Sequence, residues 1–182
     1  NQLELNNVRF VGFKNGVLLN NAYNTLGTNL HFADCERAEH DIRSHGSVFT
    51  NTTISFCKKG FEIRSNGVNL VGYNTSNCNI GLHVAAGNNI ITNLNLETTK
   101  EGEAQLLIGD TTGIKVDGNV FTGVIISAPY LKAIKWLKTA GQSVFVGGSA
   151  LSTNFEIVEG STATNLNLGF IGNLPTTITK KL

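Results

Sequence analysis

The stretch Asn29-Leu30-His31-Phe32-Ala33-Asp34-Cys35 is answered 22 residues later by Asn51-Thr52-Thr53-Ile54-Ser55-Phe56-Cys57, and this pair decides how the chain folds. Counting outward, Asn7 and Phe13 stand 22 residues before the first segment. Gly72 and Cys78 stand 21 residues after the second, and Asn93 and Thr99 a further 21 on. Two columns result: Asn7, Asn29, Asn51, Gly72, Asn93, and Phe13, Cys35, Cys57, Cys78, Thr99. A third column, Leu19, Ile42, Ile63, Val84, Leu106, advances by 23, 21, 21 and 22. A fixed period of this length marks a stacked array, in which no unit can bury its apolar face alone.

Inside each unit the apolar residues alternate: Val8 and Phe10, Leu30 and Phe32, Leu94 and Leu96, then Val17 and Leu19, Phe61 and Ile63, Leu82 and Val84. Period two means strands. Between them lie Asn15-Gly16, Lys59-Gly60, Asn66-Gly67 and Gly87-Asn88, which are turn formers. No helix-patterned run separates the first five strand groups, which excludes βαβ crossovers and helical solenoids. The expected fold is an all-β, right-handed parallel β-helix with coils of about 22 residues, each strand pairing with its copy one turn away. Stacked Asn side chains, each both donor and acceptor, are expected to bond along the axis. Cys35, Cys57 and Cys78, spaced 22 and 21 apart, fit no close metal-binding pair and read as a buried column of thiols.

The chain has 182 residues, 41% hydrophobic and 15% charged, enough for a real core within one domain. A net charge of +1 supplies no basic stripe, so no nucleic-acid partner is expected. No apolar run approaches the roughly 20 residues that cross a bilayer, so no membrane partner is expected either. The absence of Met at the start and throughout suggests a processed piece of something longer.

The units Asn7-Val8-Arg9-Phe10, Asn29-Leu30-His31-Phe32 and Asn93-Leu94-Asn95-Leu96, with the interior columns, resemble the pectate-lyase-like right-handed parallel β-helices. Among these the resemblance is to the trimeric tailspike and tail-fibre proteins of bacteriophages, and it covers residues 1–112. It is a likeness of architecture, with no catalytic motif. It implies a bacterial cell-surface polysaccharide as partner, a homotrimer, and a place on a virion tail or outside the cell.

Residues 1–118 read as the regular β-helix and 119–182 as its continuation with longer loops or as a C-terminal β cap or trimerisation region. Asn119, Ser143 and Asn165 extend the first column at steps of 26, 24 and 22. A competing count, Val144, Phe155 and Leu166 at steps of 11, suits antiparallel hairpins. The segment Tyr130–Lys138 places Leu131, Ile134 and Leu137 three apart, as in a short amphipathic helix.

With the third column facing inward, one outward stripe reads Leu18, Asp41, Glu62, His83, Gln105, and the next Asn20, Arg43, Arg64, Ala85, Leu107. Asp41 and Glu62 would stand one coil, about 5 Å, apart, the spacing of a retaining glycosidase pair, with His83 next in line. Arg43 and Arg64 on the same strands are candidate sugar-binding forks. The simpler account is a set of surface ion pairs worth roughly 0–1 kcal/mol each. His40 falls in the inward series Val17, His40, Phe61, Leu82. Sugar rings stack on aromatic faces, which singles out Tyr23 and Trp136, while Tyr73 belongs with the core positions. The sequence shows no metal cluster and calls for no cofactor.

Three functions follow in order: a tailspike-like segment attaching to surface polysaccharide, a polysaccharide-degrading hydrolase or lyase, and a purely structural stalk.

Overall fold

The computed structural model describes residues 2–42, 45–98, 102–128, 132–150 and 155–171, with 40–42 described by backbone alone. The strands are β1 (Glu4–Asn6), β2 (Arg9–Val11), β3 (Asn15–Asn20), β4 (Leu26–Ala33), β5 (Arg37–Ile42), β6 (Val48–Ser55), β7 (Lys59–Ile63) and β8 (Asn69–Ser76). They continue as β9 (Ile80–Val84), β10 (Ile90–Glu97), β11 (Ala104–Ile108), β12 (Asn119–Ser127), β13 (Lys132–Trp136), β14 (Gln142–Ala150), β15 (Phe155–Ile157) and β16 (Thr164–Leu168). They form two sheets. One has nine strands, ordered β1-β4-β6-β8-β10-β12-β14-β16 with β2 beside β4; the other has seven, ordered β15-β13-β11-β9-β7-β5-β3. Strands alternate between the sheets along the chain, and every pairing is parallel. The protein is thus an all-β parallel solenoid of about seven coils.

The first column is the corner of the nine-stranded sheet. Asn7, Asn29, Asn51 and Asn93 hold φ between 52° and 53°, and Gly72, Gly123 and Gly147 hold 65°, 61° and 60°. Asn and Gly are the residues that visit this left-handed region at least cost, so both occur here. The Asn29 amide donates to the Asn7 side-chain oxygen at 2.9 Å, and Asn51 donates to Asn29 at 3.3 Å. Beyond Asn93 the corner passes to Gly123, Gly147 and Gly169, not to Asn119, Ser143 and Asn165. Those three pair with one another in register and are buried. Asn119 joins the buried Asn89, whose N–H donates to the Asn119 side-chain oxygen at 3.0 Å. The difference arises because the segments 98–103 and 109–118 are both longer than their counterparts in the preceding coils, which together moves the count from 22 to 30 between Asn93 and Gly123.

The core lies between the sheets. Phe32, Phe49, Phe61, Tyr73, Phe121, Phe145 and Trp136 are fully buried, with Phe61 ringed edge-on by Phe32, Phe49 and Tyr73 at 5.8, 5.1 and 5.2 Å. Such pairs add about 0.5–1.5 kcal/mol each beyond their buried area. The Tyr73 hydroxyl accepts from the Phe61 N–H and donates to the Gly81 carbonyl, both at 2.8 Å, which satisfies it without water. Cys35, Cys57 and Cys78 are free and buried, each thiol donating to the carbonyl two residues before it at 3.4, 3.5 and 3.6 Å. Phe13, at the head of that column, is exposed, and Thr99 lies outside the described residues.

Three expectations change. The segment Tyr130–Lys138 contains strand β13, not a helix, because β11 and β15 flank it and complete its hydrogen bonds. Val144 and Leu166 pair in parallel within one sheet while Phe155 lies in the other, so the 11-residue count does not mark hairpins. Trp136 occupies the register place of Ile108 and Ile157 and is fully buried, so it is a core residue and offers no ring to a ligand.

Candidate functional site

Parallel pairing aligns Leu18, His40, Glu62, His83, Leu107, Lys135 and Glu156 as one register row of the seven-stranded sheet. Asp41 pairs with Leu19 and Ile63, one residue out of step with Glu62. In register the residue opposite Glu62 is His40 and not Asp41, so the sequence alignment that set Asp41 beside Glu62 is off by one position. Glu39, not His40, takes the inward place between Val17 and Phe61 and is buried. Gln105 is likewise buried, its amide donating to the Cys78 carbonyl at 2.9 Å. Arg43 lies outside the described residues.

Glu62 and His83 do stand side by side, but as parts of a charge-bearing cluster that seals the sheet. Glu62 is 2% exposed. Its carboxylate meets the Arg64 guanidinium at 2.8 Å and the Arg37 guanidinium at 3.0 Å. Arg64 reaches on to Asp110 at 2.6 Å. Burial alone would raise the Glu62 carboxyl, but the Arg64 hydrogen bond and the Arg37 charge outweigh it and hold the group below its ordinary range. His83 is buried, with Nε2 at 2.8 Å from the Gly109 carbonyl and Nδ1 at 3.8 Å from Glu62. The carbonyl can only accept, so Nε2 carries the proton. Burial pushes the imidazole below its ordinary value despite the neighbouring carbonyl and carboxylate. Asp110 is also held low, burial being outweighed by Arg64 and by the Thr111 N–H at 2.8 Å.

Stability should therefore fall in two steps on acidification. A depressed folded pKa stabilises above the unfolded value and loses that stability as pH drops. His83 gives the first loss, starting below its ordinary 6.5, and Glu62 with Asp110 the second, below about 4.5 and 3.8. Melting curves from pH 8 to pH 3 check this, with His83→Gln expected to flatten the upper step and leave the lower one in place.

The accessible chemistry lies beside this cluster. The turn between β11 and β12 runs over residues 109–118, ten residues where the corresponding turns 64–68, 85–89 and 137–141 have five. The longer turn stands off the coil and leaves a cleft of about 550 Å³, lined among others by His45, Arg64, Asn66, Asp110, Ile114, Lys115 and Asp117. Arg64 and Asp110 form its charged wall, Lys115 and Asp117 pair at 3.3 Å on its rim, and Ile114 is 91% exposed. Asp117 is fixed by the Gln142 N–H at 2.6 Å. Tyr23, half exposed, stacks on His45 at 5.7 Å and 27°, so an aromatic face adjoins the cleft. Of the residues singled out from sequence, Arg64 lines the cleft and Tyr23 flanks it; Glu62 and His83 lie beneath, and Trp136 lies in the core. His45 ends the ionisable stretch Asp34–His45, the first place the sequence offers for an active site, whereas Asp110, Lys115 and Asp117 were missed, and their signal was the coil of 30 residues ending at Gly123. Among the described residues no group of His, Cys, Asp or Glu is placed to hold a metal ion.

Comparison of the chain with protein-family models, with curated proteins and with solved structures gave no match. The class that stands is the one its coordinates define, a parallel β-solenoid with a loop-built cleft on one edge.

Proposed function

We propose that this solenoid is an attachment module that binds bacterial surface polysaccharide in the cleft beside residues 109–118, as part of a tailspike-like protein on a virion tail or outside the cell. One observation carries the reading: a long turn opens a cleft whose walls join guanidinium, ammonium and carboxylate groups, with a stacked aromatic pair at its end. Sugars need this combination, because their hydroxyls take charged hydrogen bonds while their C–H faces lie on rings. Glu62, with both oxygens held by guanidinium groups and almost no exposure, serves as a counter-ion that stiffens Arg64. It is not available as an acid or nucleophile, which favours binding over cleavage.

The test is calorimetric titration of capsular and lipopolysaccharide oligosaccharides, alongside an assay for new reducing ends and unsaturated products. Lys115→Ala and Tyr23→Ala alter exposed side chains, and each should weaken binding about tenfold, or about 1.4 kcal/mol, with melting unchanged. New reducing ends or unsaturated products would replace this reading with the depolymerase. Neither binding nor turnover would leave the structural stalk.

A further inference from the structure

The charges in and under the cleft cancel pair by pair. Arg64 donates from Nε to Glu62 at 2.8 Å and from Nη1 to Asp110 at 2.6 Å. Arg37 meets Glu62 at 3.0 Å, and Lys115 meets Asp117 at 3.3 Å. Three cations thus answer three carboxylates. A ligand carboxylate that paired with Arg64 would have to draw the guanidinium from Glu62, which is 2% exposed, and a buried carboxylate left short of a cation is costly. One that paired with Lys115 would have to displace Asp117, whose Oδ1 also accepts the Gln142 N–H at 2.6 Å. A hydroxyl asks for neither exchange. A guanidinium has five N–H donors and Arg64 uses two of them on carboxylates, while the carboxylates of Asp110 and Asp117 each offer about four lone-pair sites, enough to accept a hydroxyl as well.

The same cleft has an apolar part. Ala85 and Ala86, in the turn after β9, are half-buried, and Ile114 in the long turn is 91% exposed and lies outside the core. An isoleucine placed there adds nothing to the packing of the coils, but beside two alanine methyls it gives a small apolar group of a ligand a place to leave water. We infer that the cleft selects uncharged sugars bearing a methyl group, as 6-deoxyhexoses and N-acetylhexosamines do, over uronic and other acidic sugars. Ile114 and the two alanines take the methyl, and Asp117 sets the specificity by keeping Lys115 from acids. The inference rests on the glycan reading and narrows it.

The test is a series of sugars that differ only at C6: methyl glycosides of 6-deoxygalactose, galactose and galacturonic acid, the same forms of glucose, and methyl N-acetylglucosaminide beside the glucoside. NMR titration of the 182-residue chain follows the Ile114 methyl and the Ala85 and Ala86 amides. The methyl-bearing sugar of at least one series should bind about fourfold tighter than its hydroxymethyl or hydroxyl counterpart, the worth of one buried carbon. The arm that wins tells the deoxy methyl from the acetyl methyl. The uronate should bind weakest, and the order should hold from about 50 mM to about 500 mM salt. Ile114→Ser should bring the methyl-bearing sugar down to its counterpart. Asp117→Asn keeps an oxygen for the Gln142 N–H and takes the carboxylate from Lys115, so the uronate should gain about threefold, a gain that salt removes. Ile114 is exposed, so its variant decides the matter even if Asp117→Asn does not fold. A uronate that binds the wild type as tightly as the methyl-bearing sugar overturns the inference, as does a methyl preference that survives Ile114→Ser. If the oligosaccharides titrated by calorimetry bind while none of these sugars moves the three residues, this inference falls and glycan attachment stands; if no glycan binds, both fall.

Discussion

Cys57→Asp is expected to abolish the cooperative melting of the solenoid and send most of the protein to the insoluble fraction. Cys57 is 2% exposed and sits between Cys35 and Cys78, one coil to either side. A hydrogen bond with Cys78 and burial both push its thiol far above the ordinary value, so the site accommodates a neutral group only. An aspartate there either ionises without a cation beside it or binds a proton at a cost set by pH. The penalty is several kcal/mol, against a total stability of about 5–15 kcal/mol for a typical domain. Cys57→Ala separates charge from volume: it removes only the sulfur and should cost about 1–2 kcal/mol. Circular dichroism melts and soluble yield decide the matter. An Asp variant that melts with the wild type would remove the buried thiol column and with it the stacking of coils.

Gly60→Ala is the second large effect, and it acts through the backbone. A Cβ at Gly60 would overlap the Gly81 carbonyl on the neighbouring strand and the Tyr73 hydroxyl. Either β7 and β9 separate, or Tyr73 gives up its bonds to the Phe61 N–H and the Gly81 carbonyl. Overpacking costs about 1–3 kcal/mol and a lost buried hydrogen-bond partner about as much again, so roughly 3 kcal/mol or more is expected in denaturant melts. Glu62 follows Gly60 on the same strand and Arg64 opens the turn just after it, so any folded fraction should also bind glycan less tightly. Wild-type stability in Gly60→Ala would mean that β7 does not pass as close to β9 as the structure shows.

The coil, the Asn stack and the thiol column were legible because residues at those places must repeat: a left-handed corner accepts little besides Asn and Gly, and the interior accepts small neutral groups. The adjacency of Glu62 and His83 was legible for the same reason, since the coils there run at 21 residues. Asp41 was read one position out of register because the third column advanced by 23 at Ile42, whereas the backbone pairs Leu19 with Asp41. Tyr130–Lys138 imitated a helix through lysines and apolar residues three apart, yet pairing with β11 and β15 overrode that local pattern. The cleft was hidden because residues 109–118 belong to no column, and only the neighbouring coils show where so long a turn must go.

The same turn carries a lesson about change. It adds five residues relative to its counterparts, yet Ile91 still pairs with Phe121 and Leu106 with Ile134 on either side of it. Insertions at this bend are therefore invisible to the scaffold, and selection can rewrite what the protein grips without renegotiating how it stands.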